Sequence, residues 1–299
     1  MTATQKTVAV LFPGEMGTAL GALLVGRGVR VVTTLNGRGA KTIERSQAAG
    51  ITAVPTLEAV VRASDFVISL VTPLVAQKVA DSYLSLAHLA PANALYIDAN
   101  SIGPESVQSM ARGFATAGVG FVDGAINGLA KNLATTATFF LSGPRAGEVF
   151  DLIGPLMRVS VLGTAIGQAS AMKMLLSGVS KGACALFVEI ALAAQTRGML
   201  PEFIEACSRI YPGVMGIVER MLPTYAEHGS RRVEEMSEVV RTVRSASVEP
   251  CLMSAVLQLH ERMAEVNFSG TGESEWTARS VIGLMAHAPS CARLPGGAI

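Results

Sequence analysis

Short, near-continuously apolar, β-branched runs alternate with helical segments over the first 163 residues, and this alternation constrains the fold more than any other feature. The strand candidates are residues 7–11, 30–34, 66–71, 94–97, 120–122, 138–142 and 158–162, with helical stretches such as 17–28, 76–86 and 104–117 between them. Strands that are apolar on both sides and joined by crossovers need helices on both faces. They predict an α/β domain built on a doubly wound, mostly parallel sheet. Beyond Gly163 the composition turns to Ala, Leu, Met and Glu. Residues 165–197 read as one long helix, followed by helices over 201–210, 214–228, 232–247 and 250–266. The expected organisation is residues 1–163 as the α/β domain and residues 164–299 as an all-α domain for substrate and dimer contacts.

The first strand runs into a glycine turn, VAVLFPGEMGTALGALLVGRG, residues 8–28. A Rossmann dinucleotide-binding turn reads G-x-G-x-x-G between strand and helix: the first glycine makes the turn, the second admits the pyrophosphate, the third lets helix and strand pack. Gly14 and Gly17 take the second and third places, and Phe12 takes the first. Phosphate approach depends mainly on Gly14 and on the N–H groups of the helix start, so Gly14, Glu15, Met16 and Gly17 remain candidate cofactor contacts. The other reading is a tight corner with no ligand.

NAD binders place an acid at the end of the second strand for the ribose hydroxyls. Here VVTTLNGRGAK has no acid but offers Asn36, Arg38 and Lys41. A guanidinium pairs with a 2′-phosphate in bidentate fashion, and an ammonium adds a point charge, so NADP(H) is favoured over NAD(H). The alternative is that these are solvated loop charges.

Four further segments follow in order: DFVISLVTP ending at Pro73, YIDANSIGPES at 96–106, FVDGAINGLAK at 121–131, and IGQASAMKMLLSGVSKG at 166–182. With the glycine turn they resemble the β-hydroxyacid dehydrogenase and 6-phosphogluconate dehydrogenase superfamily, in a branch with a divergent helical C-terminal domain. The resemblance covers roughly residues 8–182. The family's G-x-G-x-M-G is matched at Gly14, Met16 and Gly17. Its D-x-S-T-x-x-P is similar to Asp98–Pro104, with Asn100 and Ser101 in the Ser-Thr places. Its D-x-x-V-S-G-G is similar to Asp123–Leu129, with Asn127 for the serine and Leu129 for the last glycine. Its K-x-x-x-N is approached by Lys173 and Ser177, and Leu176 stands where the 6-phosphogluconate enzymes carry histidine.

The resemblance implies a nicotinamide site beside Val71, Thr72, Pro73 and Asn100, and a substrate loop that includes Ser101, Gly124, Asn127 and Gly128. It implies Lys173 as general acid/base, exchanging a proton with the reacting oxygen during hydride transfer. An apolar wall of Met172, Met174 and Leu176 would loosen its hold on that proton. Lys173, Ser177 and Lys181 are spaced by four and share a helix face. Ser177 is then a hydrogen-bond donor and Lys181 holds a substrate anion, unless the stripe is a solvated face. Asp98 and Asp123 are expected to fasten loops. The lost family residues argue against phosphogluconate as substrate.

Lys plus Arg total 24 and Asp plus Glu 23, without runs of like charge, so nothing points to nucleic acid or an anionic membrane. The expected partner is a small, anionic molecule. Half the residues are apolar and 16% are charged. Glu15, Arg27, Lys173, Lys181 and Glu189 interrupt the apolar stretches, so no membrane span is expected. The apolar excess fits a buried sheet and a homodimer interface. MTATQKT carries no signal-peptide pattern, and Cys184, Cys207, Cys251 and Cys291 lack ligand spacing, as reduced cytoplasmic thiols would. His88, His228, His260 and His287 also lack it, and no metal site is expected. Trp276, Arg279 and the NFSGTGESEW segment are read as packing before lid, and the PGG tail as loose.

The expected function is an NADP(H)-dependent oxidoreductase acting on a small hydroxy acid or related carbonyl, with decarboxylation where a β-keto acid forms. The alternatives are an imine reductase-like enzyme, against which Lys173 argues, and an NADPH-sensing regulator without chemistry.

Overall fold

The computed structural model describes residues 6–268 and 276–292. It forms two compact units, Met1–Lys173 and Met174–Ile299.

In the first unit the elements are β1 (Thr7–Leu11), α1 (Glu15–Gly26), β2 (Arg30–Thr34), α2 (Ala40–Ala48), β3 (Thr52–Val54), α3 (Leu57–Ala63), β4 (Phe66–Ser69) and α4 (Pro73–Leu84). They continue with β5 (Leu95–Asp98), α5 (Pro104–Thr116), β6 (Gly120–Asn127), β7 (Thr138–Ser142), α6 (Ala146–Ile153) and β8 (Arg158–Gly163). The eight strands lie in the order β3-β2-β1-β4-β5-β6-β7-β8. The first six in that order are parallel, β7 runs antiparallel to β6, and β8 parallels β7. Alternate residues serve opposite faces: Val8 and Val10 pack with Leu20 and Leu24 of α1, while Ala9 and Leu11 pack with the Tyr83, Tyr96 and Phe114 side. Both faces are covered, so the strands must be apolar throughout.

The chain leaves β1 on one side for β2 and β3, then returns on the other for β4. A crevice therefore opens outside the carboxyl ends of β1 and β4, where open α/β sheets take ligands. Two differences from expectation bear on the site. β3, three residues at the sheet edge, is too short to stand out in the sequence. β6 runs on to Asn127 because Gly124–Asn127 pair with Leu141–Thr138 of β7.

The second unit is helical. α7 (Gln168–Thr196) enters it from the first, followed by α8 (Leu200–Ile210), α9 (Pro212–Met221), α10 (Tyr225–Ser245), α11 (Cys251–Ala264), α12 (Ala278–His287) and α13 (Pro289–Ala292). The expected break near residues 229–231 falls instead at the 3-10 turn Leu222–Thr224. Pro223 breaks the helix there, and Gly229 sits inside α10, where an added Cβ would lie 3.4 Å from Ala264 Cα. Gly229 is thus an approach point for α11.

The first unit also extends ten residues past the expected boundary at 163. Asp123 holds the first turn of α7, accepting from Gly167, Ala169 and Ser170 N–H, so that turn belongs with the sheet. By length and composition alone α7 is apolar enough to cross a membrane, a test that the core helix of a soluble protein also passes. Trp276 packs edge-to-face on Phe268 in the helical core, and Arg279 is exposed. Residues 269–275 of the NFSGTGESEW segment, and the PGG tail, lie outside the described residues.

Candidate active site

The glycine turn at the end of β1 has the geometry its residues require. Phe12, in the place of the first glycine, has φ 47°. A glycine would adopt that conformation without strain, whereas an L side chain there costs roughly 1 kcal/mol. Gly14 caps α1 with no side-chain hydrogen bond, and a Cβ added to it meets nothing within 4 Å. Its backbone is open to a ligand at the helix N-terminus, whose first N–H groups lack intrahelical partners. At Gly17 a Cβ would press on Val10 Cγ1 at 3.1 Å and Pro13 Cβ at 3.3 Å. The third glycine therefore lets α1 rest on β1, while Glu15 and Met16 occupy the first turn between the two.

Phe12 does not close the turn. Its ring carries the Arg38 guanidinium, 4.7 Å from the centroid, which brings a cation from the end of β2 to the side of the glycine turn. Asn36, Arg38 and Lys41 are all exposed, with Lys41 in the first turn of α2. These residues fit a dinucleotide: an open backbone at a helix N-terminus for a diphosphate, with exposed polar and cationic side chains at the end of β2 beside it.

The carboxyl ends of β4 and β5 carry the next group. Val71 and Thr72 lead into α4, where Thr72 is the N-cap, exposed and making no side-chain cap bond, and Pro73 is the first residue. Asn100 was expected to face the nicotinamide. Its side chain instead is buried, donating to Ser69 Oγ (3.0 Å) and Asp98 Oδ2 (2.7 Å) and accepting from Val71 N–H (2.6 Å). The amide is engaged within the protein, so Asn100 acts on the Val71–Pro73 turn and presents no group to a ligand. Ser101, the next residue, is half-exposed.

Asp98 and Asp123 are register partners on β5 and β6, and both are fully buried. They fasten loops, as expected, but by different means. Asp123 Oδ2 accepts from Ser142 Oγ and from the N–H groups of Gly167, Ala169 and Ser170, while Oδ1 accepts from Ser170 Oγ at 2.6 Å. A carboxylate at a helix start also meets the positive end of the helix dipole. Asp98 has fewer donors, and its carboxyl is pushed up to about 7, chiefly by burial. Bonds from Asn100 and the charge of Lys173 oppose the shift, and Asp123 adds to it. Lys173 itself is half-buried in the second turn of α7.

The expected substrate loop is divided. Asn127 and Gly128 are exposed where β6 ends, and Gly128 has φ 147°. Gly124, expected to offer its backbone to a carboxylate, is buried in β6 opposite Leu141. An added Cβ would strike Phe139 Cε2 at 2.7 Å, so packing alone demands glycine there.

Lys181, expected to hold a substrate anion, is also corrected. It is 6% exposed, and its Nζ lies 2.6 Å from Glu235 Oε2 and donates to Ser177 Oγ at 2.5 Å. A buried ammonium must find its counter-charge inside the protein. Ser177 is half-buried and its oxygen is taken by Lys181. Sequence reasoning missed Glu235, which sits among other acids on α10 with nothing to distinguish it. It also missed Phe12 as the platform for Arg38, because a lost glycine reads as a loss.

A family model described as the NAD binding domain of 6-phosphogluconate dehydrogenase matches residues 7–166, and one described as a domain of unknown function, DUF1932, matches residues 194–263. A 28.5 kDa protein of Methanothermus fervidus, named for its position in the 7S RNA 5′ region, is 25% identical over 253 residues, covering 84% of this chain and 96% of its own. The solved structure of conserved protein MTH1747, described as similar to 3-hydroxyacid dehydrogenases, is 29% identical, with a TM-score of 0.68 over 86% of this chain and 96% of that one. The Mycobacterium tuberculosis 3-hydroxyisobutyrate dehydrogenase, solved with L-serine, shares the fold at a TM-score of 0.72 and 16% identity over 94% of this chain and 99% of that one. With more than half of its length matched, from β1 to the threshold of α7, the chain belongs to the family of the 6-phosphogluconate dehydrogenase NAD-binding domain.

Proposed function

We propose that the chain is an NADP(H)-dependent oxidoreductase that moves a hydride to or from a small, anionic hydroxy acid or related carbonyl compound. The observation that carries this reading is the open glycine turn at the end of β1, where a Cβ at Gly14 meets nothing within 4 Å and the Arg38 guanidinium lies 4.7 Å from the centroid of the Phe12 ring beside it. Bound NADP(H) supplies or accepts the hydride. The backbone at Gly14 and the first turn of α1 hold its diphosphate, and Arg38 and Lys41 hold the 2′-phosphate. Lys173 gives a proton to the oxygen of the carbonyl being reduced, or takes it from the hydroxyl being oxidised. Ser101 and Asn127 hydrogen-bond the substrate's carboxylate.

Calorimetric titration of NADPH and NADH into wild type and Lys173→Ala, followed by turnover on small keto acids, aldehydes and imines, tests this. The expected result is tighter NADPH than NADH binding by both proteins, with turnover in the variant lower by about 100-fold or more. Turnover of imines alone would move the assignment to an imine reductase. Binding without turnover on any panel would favour a nucleotide sensor, and binding of neither dinucleotide would sink the reading.

We infer also that a second copy of the chain covers the exposed stripe Leu175, Val179, Leu186 and Ile190 of α7, beside Leu252 of α11. Leu175, Val179, Leu186 and Leu252 line a groove of 590 Å³, together with Gly178 and Gly182. This apolar face is built from α7, α10 and α11, and a twofold contact sets the same face of two copies against each other and takes its exposed side chains out of water. Val179→Glu with Leu186→Glu should convert a dimer to a monomer in light scattering. The free thiols of Cys184, Cys207, Cys251 and Cys291 support a cytoplasmic placement.

A further inference from the structure

One buried side chain ties the carboxyl ends of β4 and β5 together. Asn100 takes the Val71 N–H on Oδ1, gives one Nδ2 hydrogen to Ser69 Oγ and the other to Asp98 Oδ2, and gives its own backbone N–H to Asp98 Oδ1 at 3.2 Å. An ionised carboxylate only accepts hydrogen bonds. While Asp98 is ionised, the Asn100 NH2 must face it and Oδ1 must face Val71. A protonated Asp98 can donate from Oδ2, and it then competes with the Val71 N–H for the amide oxygen and loosens the hold on Val71. The charge on Asp98 is thus transmitted to the first residue of the turn that leads into α4.

We propose that Asp98 and Asn100 are a positioning pair for the cofactor: Asp98 orients the Asn100 amide, and Asn100 holds the Val71–Pro73 turn in its binding-competent place. This rests on the dinucleotide reading above and deepens it. Neither residue touches the ligand. Four groups act on the Asp98 carboxyl: the Asn100 amide by hydrogen bonds, its register partner Asp123 on β6, Tyr96 of its own strand and Lys173 of α7 by charge. Burial and Asp123 hold the proton on, while Lys173 and Asn100 push it off, and the balance falls at about 7. Dinucleotide affinity therefore weakens as pH falls through neutrality.

The test is NADP+ and NAD+ affinity of the full chain by calorimetry from pH 5.5 to 8.5, in wild type, Asp98→Asn and Asn100→Ala. NAD+ is included because it lacks the 2′-phosphate, which itself titrates near pH 6. Alongside, the Val71 backbone ¹⁵N shift is followed against pH without ligand. The expected wild-type result is about tenfold weaker binding of both dinucleotides at pH 5.5 than at 8.5, with Val71 titrating near neutrality. Asp98→Asn should flatten both profiles. Asn100→Ala should bind about tenfold more weakly at pH 8.5 and lose the Val71 titration, with Asn100→Ser as substitute if the alanine variant does not fold. Wild-type affinity in Asn100→Ala, or an unchanged pH profile in Asp98→Asn, overturns the proposal. A wild type that binds neither dinucleotide overturns the cofactor reading, whereas a Val71 shift indifferent to pH overturns the pair itself.

Discussion

Lys181 Nζ and Glu235 Oε2 lie 2.6 Å apart, joining α7 to α10 in the interior of the helical unit. Removing one partner of a buried pair strands the other, at a cost of about 3–5 kcal/mol. Arg231, 3.4 Å from the other Glu235 oxygen but more than half exposed, offsets part of this. Lys181→Met should therefore destabilise the protein by about 3 kcal/mol in chemical denaturation, and Lys181→Met with Glu235→Met should recover most of the loss. Dinucleotide affinity should not change. A substrate-holding lysine would behave in the opposite way, raising KM with no loss of stability.

The two glycines of the turn should respond differently to one added carbon. A Cβ at Gly14 enters open space, so Gly14→Ala should keep the wild-type Tm while dinucleotide affinity falls by about tenfold or more, because the methyl group occupies the phosphate's approach. A Cβ at Gly17 meets Val10 and Pro13, so Gly17→Val should cost about 1–3 kcal/mol and lower Tm before binding is considered. Paired thermal melts and calorimetry separate the two roles.

Asp123→Asn tests the anchor of α7. The carboxylate accepts from three backbone N–H groups and two hydroxyls without donating, whereas an amide replaces one acceptor oxygen with a donor. Buried donors left without a partner cost about 1–3 kcal/mol each. The variant should lose about 3 kcal/mol or more and, by hydrogen exchange, lose protection first at Gly167, Ala169 and Ser170.

Buried His260 and Asp98 carry opposite pH signatures. His260, bonded through Nδ1 to Tyr225 Oη at 2.6 Å, is held down to about 4 by burial. The unfolded chain takes its proton first, so this group's stability is complete above pH 6.5 and is lost toward pH 4, by about 3 kcal/mol. Asp98 is raised to about 7, so the folded chain takes its proton first. Burying that charge costs stability above pH 7, by about 4 kcal/mol, and the cost fades as pH falls toward 3.8. Thermal melts from pH 4.5 to 8 should show His260→Gln losing less stability on acidification than wild type. Asp98→Asn should lose more, and the reverse order would contradict both assignments.

Much of the architecture was legible because sheet burial leaves a local record. Val8–Leu11, Phe66–Ile68 and Leu95–Ile97 are apolar on both sides, as strands must be where helices cover both faces. The glycine turn, the exposed Arg38 and the α7 lysines were legible for the same reason: turn, strand end and helix period are properties of neighbouring residues. What those groups do is decided elsewhere in the chain. Lys181 reads as a cleft cation until Glu235, 54 positions later in number, closes on it. Asn100 reads as a ligand contact until Ser69 of β4 and Val71 in the turn that follows it consume its amide. Charge and hydrogen-bonding capacity are written in each residue, but whether water, a ligand or a distant side chain satisfies them depends on burial, and burial exists only once the chain has packed.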